Sequence, residues 1–368
     1  MGSRSAFLAV AAFVLLGLPD GMLGPAWPTL RHDLDQPLAA LGELTALLSA
    51  GLVVSSILGA RIRGRLGPGN AIAAGTAGAT LALVLYASSP VWAGLLVASF
   101  ALGFFNGQLD FGLNAHVALH HGARLMNALH ASYGIGATLG PLAVAAALAV
   151  GSWRWAYAAA AAVNAVIVVA LHAIRREFPA ETPARWQAHA PTETRRLALP
   201  LMLALFFLLV GLEVAIGAWS PTLLEHRGYG RSSASAWVTS YWALFTVGRT
   251  ALAFAGRRIA PATVVRASTG LTLLGVVLLQ WTPFGLPLAG LGLAGLFPAL
   301  VLLTPLRLGA DRAPTAIGYQ YAAGTLGSTC LVAGAGLTAQ FVGIGALVPF
   351  LGAAAAALVA LELASARR

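Results

Sequence analysis

The sequence predicts an all-α membrane protein of twelve transmembrane helices, arranged as two pseudo-symmetric halves of six. Three observations carry this expectation: the composition, the spacing of apolar runs and an internal repeat. Of 368 residues, 58% are hydrophobic and only 9% are charged, which leaves too little charge to coat a water-facing surface. Apolar stretches of the ~20 residues needed to cross a bilayer fall at 5–30, 38–62, 68–88, 90–118, 124–150 and 153–174. A polar stretch follows at 175–197, with Arg175, Arg176, Glu177, Glu181, Arg185, Glu193, Arg195 and Arg196. Six more apolar stretches come after it, at 198–225, 232–256, 261–282, 284–308, 312–340 and 343–365.

A single shift of 193 residues superimposes the two sets of six. It pairs Asp20 with Glu213, Gly24 with Gly217, Pro28 with Pro221 and Thr29 with Thr222. The same shift aligns Arg65 with Arg258, Pro68 with Pro261, Pro90 with Pro283 and Gly134 with Gly327. Glycine and proline matches arise easily by chance in such a composition, but two intramembrane acids and two basic loops in one register do not. The economical reading is a parallel repeat: residues 1–174 as one half, 175–197 as a cytoplasmic linker and 198–368 as the other half.

The charge pattern sets an orientation. All 22 basic residues are arginine, against 12 carboxylates, for a net charge of +10. Such an excess can mark nucleic-acid binding, but here the arginines cluster in short loops between apolar runs, and no nucleic-acid partner is expected. Seventeen fall on the side that holds both termini, four on the other, and Arg249 lies within a helix. The positive-inside rule then places both termini in the cytoplasm, in an inner membrane crossed many times. The apolar stretch after Arg4 is interrupted by Pro19 and Asp20, so it is read as the first helix rather than a signal peptide. Cys330, the single cysteine, excludes an intrachain disulfide and reads as a small core residue. Without lysine there is no GKS or GKT phosphate loop, so ATP hydrolysis on that motif is excluded.

Two six-helix halves, a basic central loop and basic turns after helices 2 and 8 resemble the major facilitator superfamily over nearly the whole chain. Ala60 to Gly69 read ARIRGRLGPG, with Gly64 where the family's signature loop usually has an acid. Helices 4 and 5 are most similar to the fucose and glucose permease branch. The carrying residues are Leu109, Asp110 and Asn114 in LDFGLN, then Asn127, His130 and the Gly136 to Pro141 run in MNALHASYGIGATLGP. Asp110 stands where that branch has a glutamate, and Ala115 where a proline often follows. Gly136, Gly140 and Pro141 also resemble the helix-5 motif of proton-coupled drug exporters, although Val144 and Ala145 occupy its terminal glycine positions. The resemblance implies a major facilitator fold, with helices 1, 4, 7 and 10 lining a central cavity. It also implies a secondary transporter, working as a monomer, that moves a small-molecule substrate with protons, or with sodium.

Three acids fall on those cavity-lining helices. An ionised carboxylate near the bilayer centre costs at least ~2.5 kcal/mol and turns toward protein or water. Counting ~1.5 Å per residue, Asp20 and Glu213 fall near the midplane of helices 1 and 7, and Asp110 lies slightly to the cytoplasmic side on helix 4. These three are the candidate proton-coupling residues. Asn106, Asp110 and Asn114 are spaced by four and form one polar stripe. On helix 5, Asn127 and His130 are three apart, and His130 is positioned to exchange a hydrogen bond or a proton with Asp110. Hydroxylated solutes are held by such polar groups together with aromatic faces. The substrate-binding candidates are therefore Asn106, Asp110, Asn114, Asn127, His130, Tyr133, Trp219, Tyr241 and Gln320. Glu43 and Arg249, nearer helix ends, are read as rim or snorkelling residues. The run Gly290, Gly292 and Gly295 matches a dinucleotide fingerprint by letter but lies inside an apolar helix, and is read with Gly103 and Gly107 as helix-packing glycine.

The function expected is proton-coupled alternating-access transport of a small polar solute, such as a sugar, with export of amphipathic compounds as the alternative. A non-transporting sensor or scaffold is a less favoured third reading. No metal-ligand cluster or nucleophile-base motif appears, so neither an enzyme nor a cofactor is expected.

Overall fold

A computed structural model describes residues 3–120, 123–178, 198–255, 259–309 and 313–366. The described residues hold helices and turns and no strand. That is the solution a chain in hydrocarbon must adopt when it closes no barrel, since every backbone N–H and C=O has to be satisfied within its own segment. The first six helices are α1 (Ser3–Asp33), α2 (Leu41–Leu66), α3 (Pro68–Ser88), α4 (Trp92–His120), α5 (Ala123–Ala149) and α6 (Arg154–Ala173). Then come α7 (Ala198–His226), α8 (Arg231–Ala255), α9 (Pro261–Leu278), α10 (Gly285–Ala294), α11 (Leu296–Leu308), α12 (Ala313–Phe341) and α13 (Leu347–Ala366). Between α2 and α3 the chain turns at Gly67, whose φ of +79° suits glycine, and Pro68 starts the next helix with a preset φ.

The stretch expected as one helix over 284–308 is two. It breaks at Gly295 because Pro298 has no N–H to donate to the carbonyl four residues back, Ala294, and its ring crowds that oxygen. As a single span, Gly285–Leu308 is one of eleven segments long and apolar enough to cross a membrane. The twelfth, α8, has 25 residues but is rich in hydroxyl side chains. Those hydroxyls are satisfied within the helix: Thr239 donates to Ser235 O at 2.9 Å, Ser240 to Trp237 O at 2.7 Å, and Thr246 and Thr250 each to the carbonyl four residues back at 2.8 Å. A hydroxyl bonded to its own backbone adds little polarity to a helix surface.

The chain forms two compact units, Met1–Pro183 and Ala184–Arg368. Within the first, α1 pairs with α5, α2 with α4, and α3 with both α4 and α6. Within the second, α7 pairs with α12, α8 with α10, and α9 with both α10 and α13. Each half thus has the same scheme of neighbours, as the sequence repeat requires. Most of the linker expected at 175–197 lies outside the described residues; its first part, Arg175–Glu177, is one 3₁₀ turn.

The α1–α5 pair shows how glycine sets the packing. A Cβ at Gly17 would stand 2.1 Å from Tyr133 O and one at Gly136 would stand 1.9 Å from Val14 O. Gly21 and Gly140, one turn further along, meet Ala137 O and Leu18 O in the same way. Two small-xxx-small faces therefore touch backbone to backbone. The other glycine expectations hold: Gly290 lies against the Tyr241 backbone, Gly292 against Thr272 and Gly103 against Leu48. One expectation fails. Cys330 is exposed, because α12 buries the face carrying Leu331, Val332 and Ala335 and Cys330 falls off it.

Candidate functional site

The polar groups of the first half centre on Asp20. It lies near the middle of the 31-residue α1 and is nevertheless exposed. A carboxylate turned to lipid at that depth would cost several kcal/mol. Tyr133 of α5 donates its hydroxyl hydrogen bond to Asp20 Oδ2. The Gly17 contact explains why: it presses α1 against the backbone of Tyr133 itself, three residues along from Asp20, which brings ring and acid to one level.

On α4, Asp110 and Asn114 are both half-buried, and Asn114 Nδ2 donates to Asp110 Oδ1 at 2.7 Å. This is an i, i+4 pair along one helix face. Asn106 continues the stripe one turn earlier, also half-buried. Asp110 lies within range of the charge of Asp20. The hydrogen bond at Asp110 comes from Asn114 and not from His130; the His130 ring instead meets Phe13 of α1 edge-on, 6.2 Å between centroids. Asn127 sits on α5 three residues before His130, and its side chain lies outside the described residues.

The second half is arranged differently. Glu213 is half-buried near the middle of α7, and its backbone carbonyl accepts the Tyr241 hydroxyl at 2.8 Å. Tyr241, Trp219 and Gln320 are fully buried. Trp219 Nε1 donates to Val332 O at 3.0 Å, and the Gln320 amide bonds Thr304 Oγ1 at 2.9 and 3.1 Å. These three side chains join helices within the half, and their polar atoms are already engaged, so they present nothing to a solute in this arrangement. Glu43, read as a rim residue, accepts Trp92 Nε1 at 3.0 Å.

Sequence reasoning placed Asp20 and Tyr133 in separate roles and missed their pairing. The available signal was the matched spacing of Gly17 with Gly21 and of Gly136 with Gly140, which predicts close contact between the two helices. Among the described residues no three His, Cys, Asp or Glu side chains gather as a metal site. The chemistry on offer is proton exchange at carboxyls and hydrogen bonding from amides, a phenol and an imidazole.

The family model described as Major Facilitator Superfamily matches residues 9–329. Among solved structures, the D-xylose-proton symporter is similar with a TM-score of 0.76 at 14% identity, over 98% of this chain and 96% of that chain. The peptide transporter POT gives 0.78 at 12% identity, over 98% and 93%. The transporter FucP in the outward conformation gives 0.66 at 14%, over 98% of both chains. A comparison with curated proteins finds no match.

Proposed function

The chain belongs to the major facilitator superfamily, and from that premise we propose a proton-coupled secondary transporter that moves a small polar solute by alternating access. The observation that supports this reading most is the exposed, tyrosine-bonded carboxylate of Asp20 in mid-membrane, with Asp110 within range of its charge. A carboxyl that water reaches can load and release a proton, and a neighbouring acid lets that event alter a second site. In this reading Asp20, Asp110 and Glu213 exchange protons, and Asn106, Asn114, Asn127, His130 and Tyr133 contact the solute. The test is uptake of labelled solutes, neutral sugars first, into proteoliposomes with and without an inward proton gradient. Accumulation that is indifferent to the gradient for every solute taken up would remove the proton-coupling role.

The equivalence of Asp20 and Glu213 in the repeat does not require equal roles. Tyr133 bonds the Asp20 side chain, whereas Tyr241 bonds the Glu213 main chain. Asp20→Asn and Glu213→Gln are both expected to impair transport, with different changes in substrate affinity across pH. Unchanged pH profiles of binding in both variants would reject the assignment.

We place both termini and the 175–197 loop in the cytoplasm on the arginine imbalance. Because Cys330 is exposed, it has to be replaced by alanine before labelling. In that background, Thr192→Cys is expected to resist an impermeant thiol reagent added to intact cells and to react once the cells are opened. Reaction in intact cells would invert the topology.

A further inference from the structure

A groove of about 360 Å³ runs between α3 and α6 in the first half. Ala158, Ala161, Ala162 and Ala165 of α6 form one wall, and Val84 and Ala87 of α3 belong to the other. The two hydroxyl side chains that line it are bonded to their own helix, Thr80 to Thr76 O at 2.9 Å and Ser88 to Val84 O at 2.8 Å, so its surface is apolar. Val84, Ser88, Ala162 and Ala165 are exposed, and the groove is therefore open along its side. The buried rings of Tyr86 and Tyr157 stack 4.8 Å apart and fix α3 against α6. From Thr80 to Ser88 the groove is about 12 Å long, which lies within one leaflet of a hydrocarbon core ~30 Å thick.

A cation stands at one end. Arg154 opens α6 one turn before Ala158, and its Nη1 donates to Ser89 O at 2.6 Å and to Ala87 O at 3.3 Å. These carbonyls belong to the C-terminal end of α3, which attracts positive charge, and Ala87 also lines the groove. The guanidinium is thus held at the groove mouth, its Cζ 4.6 Å from the centre of the Trp153 ring. Nε and Nη2 have no acceptor among the described residues and are not sealed inside the protein. Asp33 accepts Trp153 Nε1 at 2.8 Å, and no carboxylate of the described residues pairs with Arg154. Trp155 beside it is 60% exposed and is of the type that settles at headgroup level.

We propose that this groove binds an anionic phospholipid, with one acyl chain between α3 and α6 and the headgroup phosphate on Nε and Nη2 of Arg154. That edge of the guanidinium can take two phosphate oxygens at once. A zwitterionic headgroup would bring its own cation beside Arg154, and an anionic one does not. A face of small residues also invites a second copy of the chain. A two-fold axis along the membrane normal would then set two Arg154 side chains at one depth, facing each other. The inference needs only a chain that spans a membrane and is independent of what it transports.

The test is photolabelling of the full-length protein in phosphatidylcholine vesicles that contain a trace of phosphatidylglycerol with a diazirine in its acyl chain, mapped by peptide mass spectrometry. Label is expected to concentrate on residues 80–88 and 158–165. Excess unlabelled phosphatidylglycerol should lower it at least fivefold, and the same excess of phosphatidylcholine should not. Arg154→Gln removes the charge, and Ala162→Phe fills the groove from an exposed position. Each is expected to lower label on these two segments at least fivefold and to leave label on other helices unchanged. Where Arg154→Gln fails to fold, Ala162→Phe and the phosphatidylcholine competition decide. Label spread evenly over the exposed helices, equal competition by the two lipids, or wild-type labelling in a folded variant overturns the proposal. Competition by soluble glycerol phosphate as strong as that by phosphatidylglycerol overturns it too, since the site would then hold a free anion. So does an unlabelled α3–α6 face that crosslinks to a second copy.

Discussion

Asp110→Asn is expected to abolish concentrative uptake, so that internal solute rises only to the external level, while substrate affinity stays within a few-fold of wild type. The substituted amide keeps the shape of the side chain and an oxygen that can accept the 2.7 Å hydrogen bond from Asn114. It can neither release nor take up a proton. Binding depends on the first property and coupling on the second, so the two should separate. Uptake into proteoliposomes under an imposed proton gradient, beside a binding isotherm on the same preparation, measures both. Gradient-driven accumulation at the wild-type level in the variant would sink the role assigned to Asp110. Asn114→Ala offers a graded comparison: it leaves the acid but removes both its hydrogen-bond donor and one proposed solute contact, so accumulation should persist with weaker substrate affinity and an altered pH dependence.

The second large effect is on the fold. Gly136→Val would place a branched side chain where even a Cβ would lie 1.9 Å from Val14 O. That neighbour is main chain and cannot rotate away, so α1 and α5 must separate. Overpacking of this kind costs about 1–3 kcal/mol, and here it also draws Tyr133 away from Asp20. The variant is expected to melt several degrees below wild type in detergent and to lose transport. Gly352→Ala is the control. A Cβ at Gly352 in α13 meets nothing within 4 Å, and alanine is the better helix former by ~1 kcal/mol, so stability should hold or rise. Equal melting points for the wild type and Gly136→Val would mean that the α1–α5 contact is not what holds this pair together.

The sequence by itself determined the helices, because lipid leaves few choices. A run of about 20 apolar residues in hydrocarbon must close its own hydrogen bonds, and so α1 to α9, α12 and α13 lie close to where the apolar runs put them. It determined the two-fold repeat through the constant shift that pairs Asp20 with Glu213, and the neighbour scheme within each half follows that repeat. It also marked the acids, since a carboxylate at mid-membrane stands out against 58% hydrophobic residues. The break at Gly295 was open to the same reasoning, because Pro298 removes a backbone donor wherever the helix is placed.

Only the tertiary structure decided what each polar residue faces. Along a helix neighbouring side chains point about 100° apart, and an apolar membrane helix has polar residues too sparse to mark a face. Trp219, Tyr241 and Gln320 looked like solute contacts by residue type, yet each turned inward and spent its polar atoms on another helix of its half. Tyr133 reached Asp20 because four glycines in two separate helices removed the bulk between them, a contact between positions more than a hundred residues apart. Arg249 was placed near a helix end by counting, but whether its long side chain would run outward to water or fold back over Phe245 depended on the free carbonyl of Ala294 on a neighbouring helix. Composition and periodicity fix where a chain must be helical; the rotation of each helix, and with it the chemistry of the site, is fixed by which backbones can approach closely enough to touch.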